Sequence, residues 1–273
     1  MTVRRAYVDV PFGQVHLRMT PPARGVPLVA LHATAYSSRS FLPLMAAFGA
    51  KRQVIAIDAP GYGESDAPAS PPDIAGYAAI LEAAIAGMVA GPVDLLGYHT
   101  GAYMAAELAI RRPDLVRRIV LIGVPYFEAI GVDEWRARLD RRHVLGSSLD
   151  QFAERWSYLV DARDPAVSLA RGFGNFVDEL RAWPDGWWAH AAMFAWDSTR
   201  RLPLVARPVL ILNPAGHLAP ASRAAARLMP DCTVQEMPWL TGPVLEIAAG
   251  EIAAEIDAWL PAQTDAPVLT PVT

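Results

Sequence analysis

Apolar residues along this chain follow two rhythms. Near the start, Val3–Val10 and Gln14–Met19 alternate apolar and polar side chains around Pro11-Phe12-Gly13, which predicts a β-hairpin. Downstream, the strand-like runs are short and largely apolar: Leu28–Leu31, Gln53–Ile57, Val93–Leu96, Arg118–Ile122, Val209–Leu212 and Thr233–Met237. Helical patterns follow most of them, at Ser38–Ala47, Ile74–Val89, Ala102–Arg111, Ala219–Leu228 and Ala248–Leu260. Apolar runs alternating with helices predict an α/β fold with a mostly parallel sheet covered on both faces. Such sheets place their sites at the carboxyl ends of the strands.

The rhythm breaks after Pro125. From Phe127 to Arg200 the periodicity is helical, no strand pattern occurs, and six of the eight tryptophans lie there: Trp135, Trp156, Trp183, Trp187, Trp188 and Trp196. One α/β domain built from residues 1–125 and 201–262 is therefore expected to carry a helical insertion over 126–200, after the sixth strand. Residues 263–273, in a stretch rich in Pro and Thr, are expected to form a loose tail.

Composition narrows the function classes. With 53% hydrophobic and 19% charged residues, the chain has ample material for a large core. No stretch of eighteen uninterrupted apolar residues occurs, so a membrane partner is not expected. Arg4 and Arg5 have no apolar run behind them and do not read as a signal peptide. Cys232 is the single cysteine, which excludes an internal disulfide and points to a cytoplasmic protein. The net charge is −4 and no basic block is interleaved with aromatics, so nucleic acid is a poor partner. The six histidines include no i, i+4 pair, and no Gly-rich phosphate loop is present, so neither a metal nor a cofactor is expected.

The chemistry-bearing motif is Leu96-Gly97-Tyr98-His99-Thr100-Gly101, set between a predicted strand and a predicted helix. Gly97 and Gly101 permit close strand–helix packing and leave the central residue on a strained turn above the sheet. The motif resembles the nucleophile elbow of the α/β-hydrolase superfamily. Leu31-His32-Ala33-Thr34 is similar to that family's oxyanion loop. Asp58-Ala59-Pro60-Gly61-Tyr62-Gly63-Glu64-Ser65 is similar to its D-x-P-G-x-G-x-S loop, and Arg112-Pro113-Asp114-Leu115-Val116 to its helix-to-strand turn. The resemblance implies an α/β-hydrolase fold with the insertion as a cap. It also implies departures: His99 stands where the family places serine, cysteine or aspartate. The loop Asn213-Pro214-Ala215-Gly216-His217 lacks the family's acid, and Pro238-Trp239-Leu240-Thr241-Gly242-Pro243 lacks its histidine.

An imidazole titrates near neutrality unaided, so His99 is the expected acid/base, with His217 as a second catalytic candidate. Backbone N–H groups of Thr34 and Thr100 are the expected oxyanion donors. Expected substrate contacts are His32, Tyr36, Tyr98, Trp187, Trp188, His190, Trp196 and Trp239. His32 is also a candidate support of its own loop, and the cap aromatics are equally candidates for a core of the cap itself. Asp58 is expected to be structural, and His16, on the hairpin, to be surface. The expected function is general acid/base chemistry on a small apolar molecule, of lyase, isomerase or cyclase type. Two alternatives stand beside it: hydrolysis of esters or similar bonds with His99 as nucleophile or base, and small-molecule binding without catalysis.

Overall fold

The computed structural model describes residues 2–140 and 142–260. The tail expected over 263–273 lies outside the described residues. Eight strands form one sheet: β1 (Arg4–Val10), β2 (Gly13–Met19), β3 (Leu28–Leu31), β4 (Val54–Ile57), β5 (Val93–Tyr98), β6 (Val116–Ile122), β7 (Val209–Pro214) and β8 (Cys232–Met237). Their order is β1-β2-β4-β3-β5-β6-β7-β8. β2 pairs antiparallel with β1 and β4, and the remaining pairings are parallel.

The apolar runs behave as buried parallel strands do, feeding both faces in alternation. Val29, Leu31, Ile55, Ile57, Leu95, Ile119, Leu121 and Ile211 belong to one apolar cluster. Leu28, Ala30, Val54, Ala56, Leu96, Val120, Ile122 and Leu212 belong to the other. Helices α2 (Ile74–Met88) and α3 (Thr100–Arg111) cover the first face, while α1 (Leu42–Phe48) covers the second.

The strand order turns at β3. From there β4 lies on one side and β5 on the other, and the helices after β3 and β5 go to opposite faces. Their loops therefore part at the carboxyl end of the sheet and leave a crevice, the usual place for a ligand in such sheets.

Between β6 and β7 the chain is helical: α4 (Val132–Leu139), α5 (Asp150–Trp156), α6 (Leu169–Arg181), α7 (Trp188–Ala195) and α8 (Ser198–Arg201). After β7 come α9 (Ala219–Ala226), α10 (Val244–Ile247) and α11 (Ala249–Trp259). The helical segment holds a small cluster of its own around Leu159, Val160 and Phe176. Ala189, Ala192, Met193 and Leu202 instead join the main core. No helix among the described residues is long and apolar enough to cross a membrane.

His16 corrects one expectation: it is fully buried, not on the surface. β2 is an interior strand, and the loop after β4 folds over it, so Val15, His16 and Leu17 are all enclosed. Its Nδ1 lies 2.7 Å from Asp58.

Candidate active site

The elbow is the one non-glycine residue with positive φ among the described residues. His99 has φ 51° and ψ −113°, immediately before α3. Such a backbone costs on the order of 1–3 kcal/mol and persists only where its surroundings enforce it. Here two glycines do so. A Cβ on Gly97 would come within 2.6 Å of the Ala102 Cα, and one on Gly101 would collide with the Leu31 carbonyl. That second contact also sets the start of α3 directly against the end of β3. The residues after β3, His32 to Thr34, are thereby brought beside the elbow.

His99 is partly exposed, and its ring leans on the backbone at Gly123, where a Cβ would lie 3.0 Å from Nε2. Neither ring nitrogen has a hydrogen-bond partner among the described residues. Burial pushes the imidazole down to about 4, with His217 and His190 adding smaller contributions. The expectation that His99 titrates near neutrality is thus corrected. Protonation would place an uncompensated charge among protein atoms. At pH 7 about one molecule in a thousand would carry that proton.

Thr100 is the first residue of α3, so its amide has no acceptor within the helix and lies at the positive end of the helix dipole. Thr34 lies in the turn that follows β3. The arrangement places a neutral imidazole directly before the free first amide of α3.

The other candidate residues separate into groups. His217 is exposed and stacks on Trp135 at 4.9 Å, close enough to act electrostatically on His99. His190 is also held down to about 4 by burial, and a hydrogen bond with the Leu139 backbone opposes that shift. Tyr98 stands edge-on to His99 with ring centroids 4.4 Å apart.

His32 has both ring nitrogens engaged: Nδ1 lies 2.9 Å from the Ala33 carbonyl, and Nε2 accepts from the Ala59 amide. It ties the loop after β3 to the loop after β4. Trp196 is turned to the core, where its N–H donates to Glu107 and its ring meets Tyr103. Trp188 is buried, Trp187 lies under the Arg142 guanidinium, and Trp239 is 60% exposed and donates to Glu251. At the end of β7, the Asn213 amide donates to Glu236.

Two features of the site were not read from sequence. Ser37 donates to Asp178 of α6 at 2.8 Å, and the Tyr62 hydroxyl donates to the Gly186 carbonyl while accepting from Ala189 N–H. Both bind the helical segment to the site loops across more than 120 residues of sequence, and no local pattern signals such pairs.

The family model for the alpha/beta hydrolase fold matches residues 26–202, more than half of the chain. The chain belongs to the α/β-hydrolase fold family. It is 30% identical over 132 residues to 2-(acetamidomethylene)succinate hydrolase of Mesorhizobium japonicum. That match covers 48% of this chain and 48% of the relative, so about half of the relative's length is spanned. It is 38% identical over 92 residues to the pimeloyl-[acyl-carrier protein] methyl ester esterase of Neisseria meningitidis, covering 33% of this chain and 34% of the relative. The fold is also that of carboxylesterase CesB from Bacillus subtilis, with a TM-score of 0.73 at 17% identity over 95% of this chain and 92% of that one. The named relatives are hydrolases and esterases.

Proposed function

We propose that the protein hydrolyses an ester or similar acyl bond of a small organic molecule, with His99 as the base that activates water. The observation that supports this most is the His99 imidazole itself: uncharged, without a protein partner, and set at an elbow beside the free amide of Thr100. In the proposed reaction a ring nitrogen takes a proton from water as the water oxygen bonds to the substrate carbonyl carbon. The Thr34 and Thr100 amides hold the oxyanion. Collapse breaks the bond to the leaving group, which receives the proton from the imidazolium. The helical segment over 126–200 serves as a cap that shields this step from bulk water.

Hydrolysis is preferred to a lyase, isomerase or cyclase reaction because of the named relatives; the neutral imidazole argues only against steps that begin with proton donation. A step in which His99 donates first requires the imidazolium, which burial makes scarce above about pH 5. The named relatives, which hydrolyse an acetamidomethylene succinate and a methyl ester, support the same choice.

The test is turnover of short and medium chromogenic esters at pH 7 by the wild type and by His99→Ala. The expected result is cleavage that falls at least about 100-fold in the variant, the scale of a general-base contribution. Equal cleavage by the two proteins would remove His99 from its role, and no cleavage by either would set ester hydrolysis aside.

A further inference from the structure

One carboxylate outside the proposed reaction site is surrounded by more cations than it can hold closely. Glu64 lies in the loop after β4, and three guanidiniums reach it from three elements. Arg181, the last residue of α6, is 3.2 Å away, Arg18 of β2 3.5 Å and Arg5 of β1 3.8 Å. Arg5 and Arg18 are cross-strand partners in the hairpin, as are Tyr7 and His16, so these four side chains share one face of it. The Tyr7 hydroxyl donates to Glu64 at 3.2 Å, and Nε2 of the buried His16 stands 3.8 Å from the same carboxylate.

Other arginine clusters in the molecule are balanced. Arg111 and Arg112 are set against Glu82 and Asp114, and Arg52 and Arg117 against Asp94 and Asp257. Each of those sets contains a close pair, 2.6 Å for Arg112 with Asp114 and 2.5 Å for Arg117 with Asp94. At Glu64 three arginines face one carboxylate, and none comes nearer than 3.2 Å. Among the described residues, Arg5, Arg18 and Arg181 pair with no other acid. Asp58 lies behind Glu64 but is taken up by His16 and by the amides of Ser38 and Glu64.

The charge and the exposure both suit an oxyanion. Three guanidiniums against one carboxylate leave an excess of two positive charges, which a dianion matches. Arg5 and Arg181 are 63% and 42% exposed, so an ion can reach them from solvent, while Arg18 lies deeper at 13%. A guanidinium offers its donors in a fixed fork, and three forks can use more acceptor oxygens than one carboxylate has. A phosphate group has three such oxygens and nearly two negative charges at neutral pH.

We propose that Arg5, Arg18 and Arg181 form a binding site for a phosphate group, free or carried as a monoester. Arg181 belongs to the inserted helical segment and the other two to the β1–β2 hairpin, so the bound anion bridges that segment to the sheet. The site takes no part in the chemistry assigned to His99. The test is isothermal titration calorimetry with inorganic phosphate and with glycerol 3-phosphate, near neutral pH and at an ionic strength of about 20 mM, where exposed charges are little screened. The expected Kd is about 1 mM or below. Arg5→Ala and Arg181→Ala, each shown by melting to be folded, should weaken binding at least about 10-fold, the scale of one charge-assisted hydrogen bond. Glu64→Gln removes the competing negative charge and should tighten binding about 3-fold or more. Arg200→Ala removes the same charge from a solvent-exposed position elsewhere and should bind as wild type does. Tighter binding of glycerol 3-phosphate would support a phosphorylated organic ligand at this site, and equal binding of the two the free ion. No saturable binding of either by wild type below roughly 10 mM would overturn the proposal. So would unchanged affinity in the Arg5 and Arg181 variants, an equal loss in Arg200→Ala, or weaker binding in Glu64→Gln.

Discussion

Two histidines in this protein, one fully buried and one partly exposed at the elbow, are treated in different ways. His16, under the loop after β4, has its Nδ1 2.7 Å from Asp58. Asp58 also accepts from the amides of Ser38 and Glu64, and although burial opposes it, these bonds hold its carboxyl at about 2. That imidazole is part of a clamp that binds β2, the β3 loop and the β4 loop together. His99, at the elbow, is given no partner, and burial is the main cause that keeps it uncharged, with His217 and His190 adding to it. The difference separates a histidine bonded into the architecture from one whose ring is left without a protein partner. His16, held through Nδ1, fixes the backbone around it, although its Nε2 is buried without a hydrogen-bond partner. An unsatisfied ring on a strained turn is left available to a ligand.

The largest effect is expected at the clamp. Asp58→Ala leaves His16 and two amides buried without their acceptor and should lower stability by about 3–5 kcal/mol, read from denaturant midpoints. A loss well under 1 kcal/mol would show that the clamp is not structural. Next is the support of the elbow. Gly101→Ala drives a Cβ into the Leu31 carbonyl and should cost about 1–3 kcal/mol or more, because backbone cannot yield as a flexible side chain does.

The pH dependence of stability distinguishes the two regions directly. His99 and His190 are held at about 4, below the ordinary value of 6.5 that the unfolded chain would show. Between those values the unfolded state binds protons that the native state does not. Their stabilisation is therefore complete above pH 6.5 and is lost as pH falls toward 4, by at most about 1.4 kcal/mol per pH unit for each ring. Asp58 acts lower, its stabilisation being lost only as pH falls from 3.8 toward 2. His99→Gln should flatten the upper segment and leave the lower one in place. Urea midpoints from pH 3 to 8 would show this, and an unchanged upper slope would contradict it. At neutral pH, His99→Gln should change stability least, by under about 1 kcal/mol, since no protein hydrogen bond is broken.

Much of the fold was legible because the signals are local. The strand at Leu28–Leu31 has the observed bounds, and β5 runs two residues past the expected Val93–Leu96 because Gly97 and Tyr98 continue its pairing with β6. The helix expected over Ser38–Ala47 begins instead with a tighter turn at Ser38–Phe41, because Ser37 caps it and Pro43 fits the first turn of α1. The elbow was legible from its two glycines. The charge state of His99 was not, since it depends on desolvation by elements far apart in sequence. Nor was the burial of His16, because alternation within one strand says nothing of a loop that later covers it. The pairing of Ser37 with Asp178 is likewise a product of tertiary structure.

The central claim is that a neutral, unpartnered His99 is the working base. The most direct test is the pH profile of kcat/KM for a short chromogenic ester from pH 4 to 9, in wild type and His99→Gln. The expected wild-type rate is level above about pH 5 and falls as the imidazole protonates near 4, and the variant is expected to lose that dependence and at least about 100-fold of the rate. A wild-type profile that bends near pH 6.5 to 7, or a variant that retains full turnover, would contradict it.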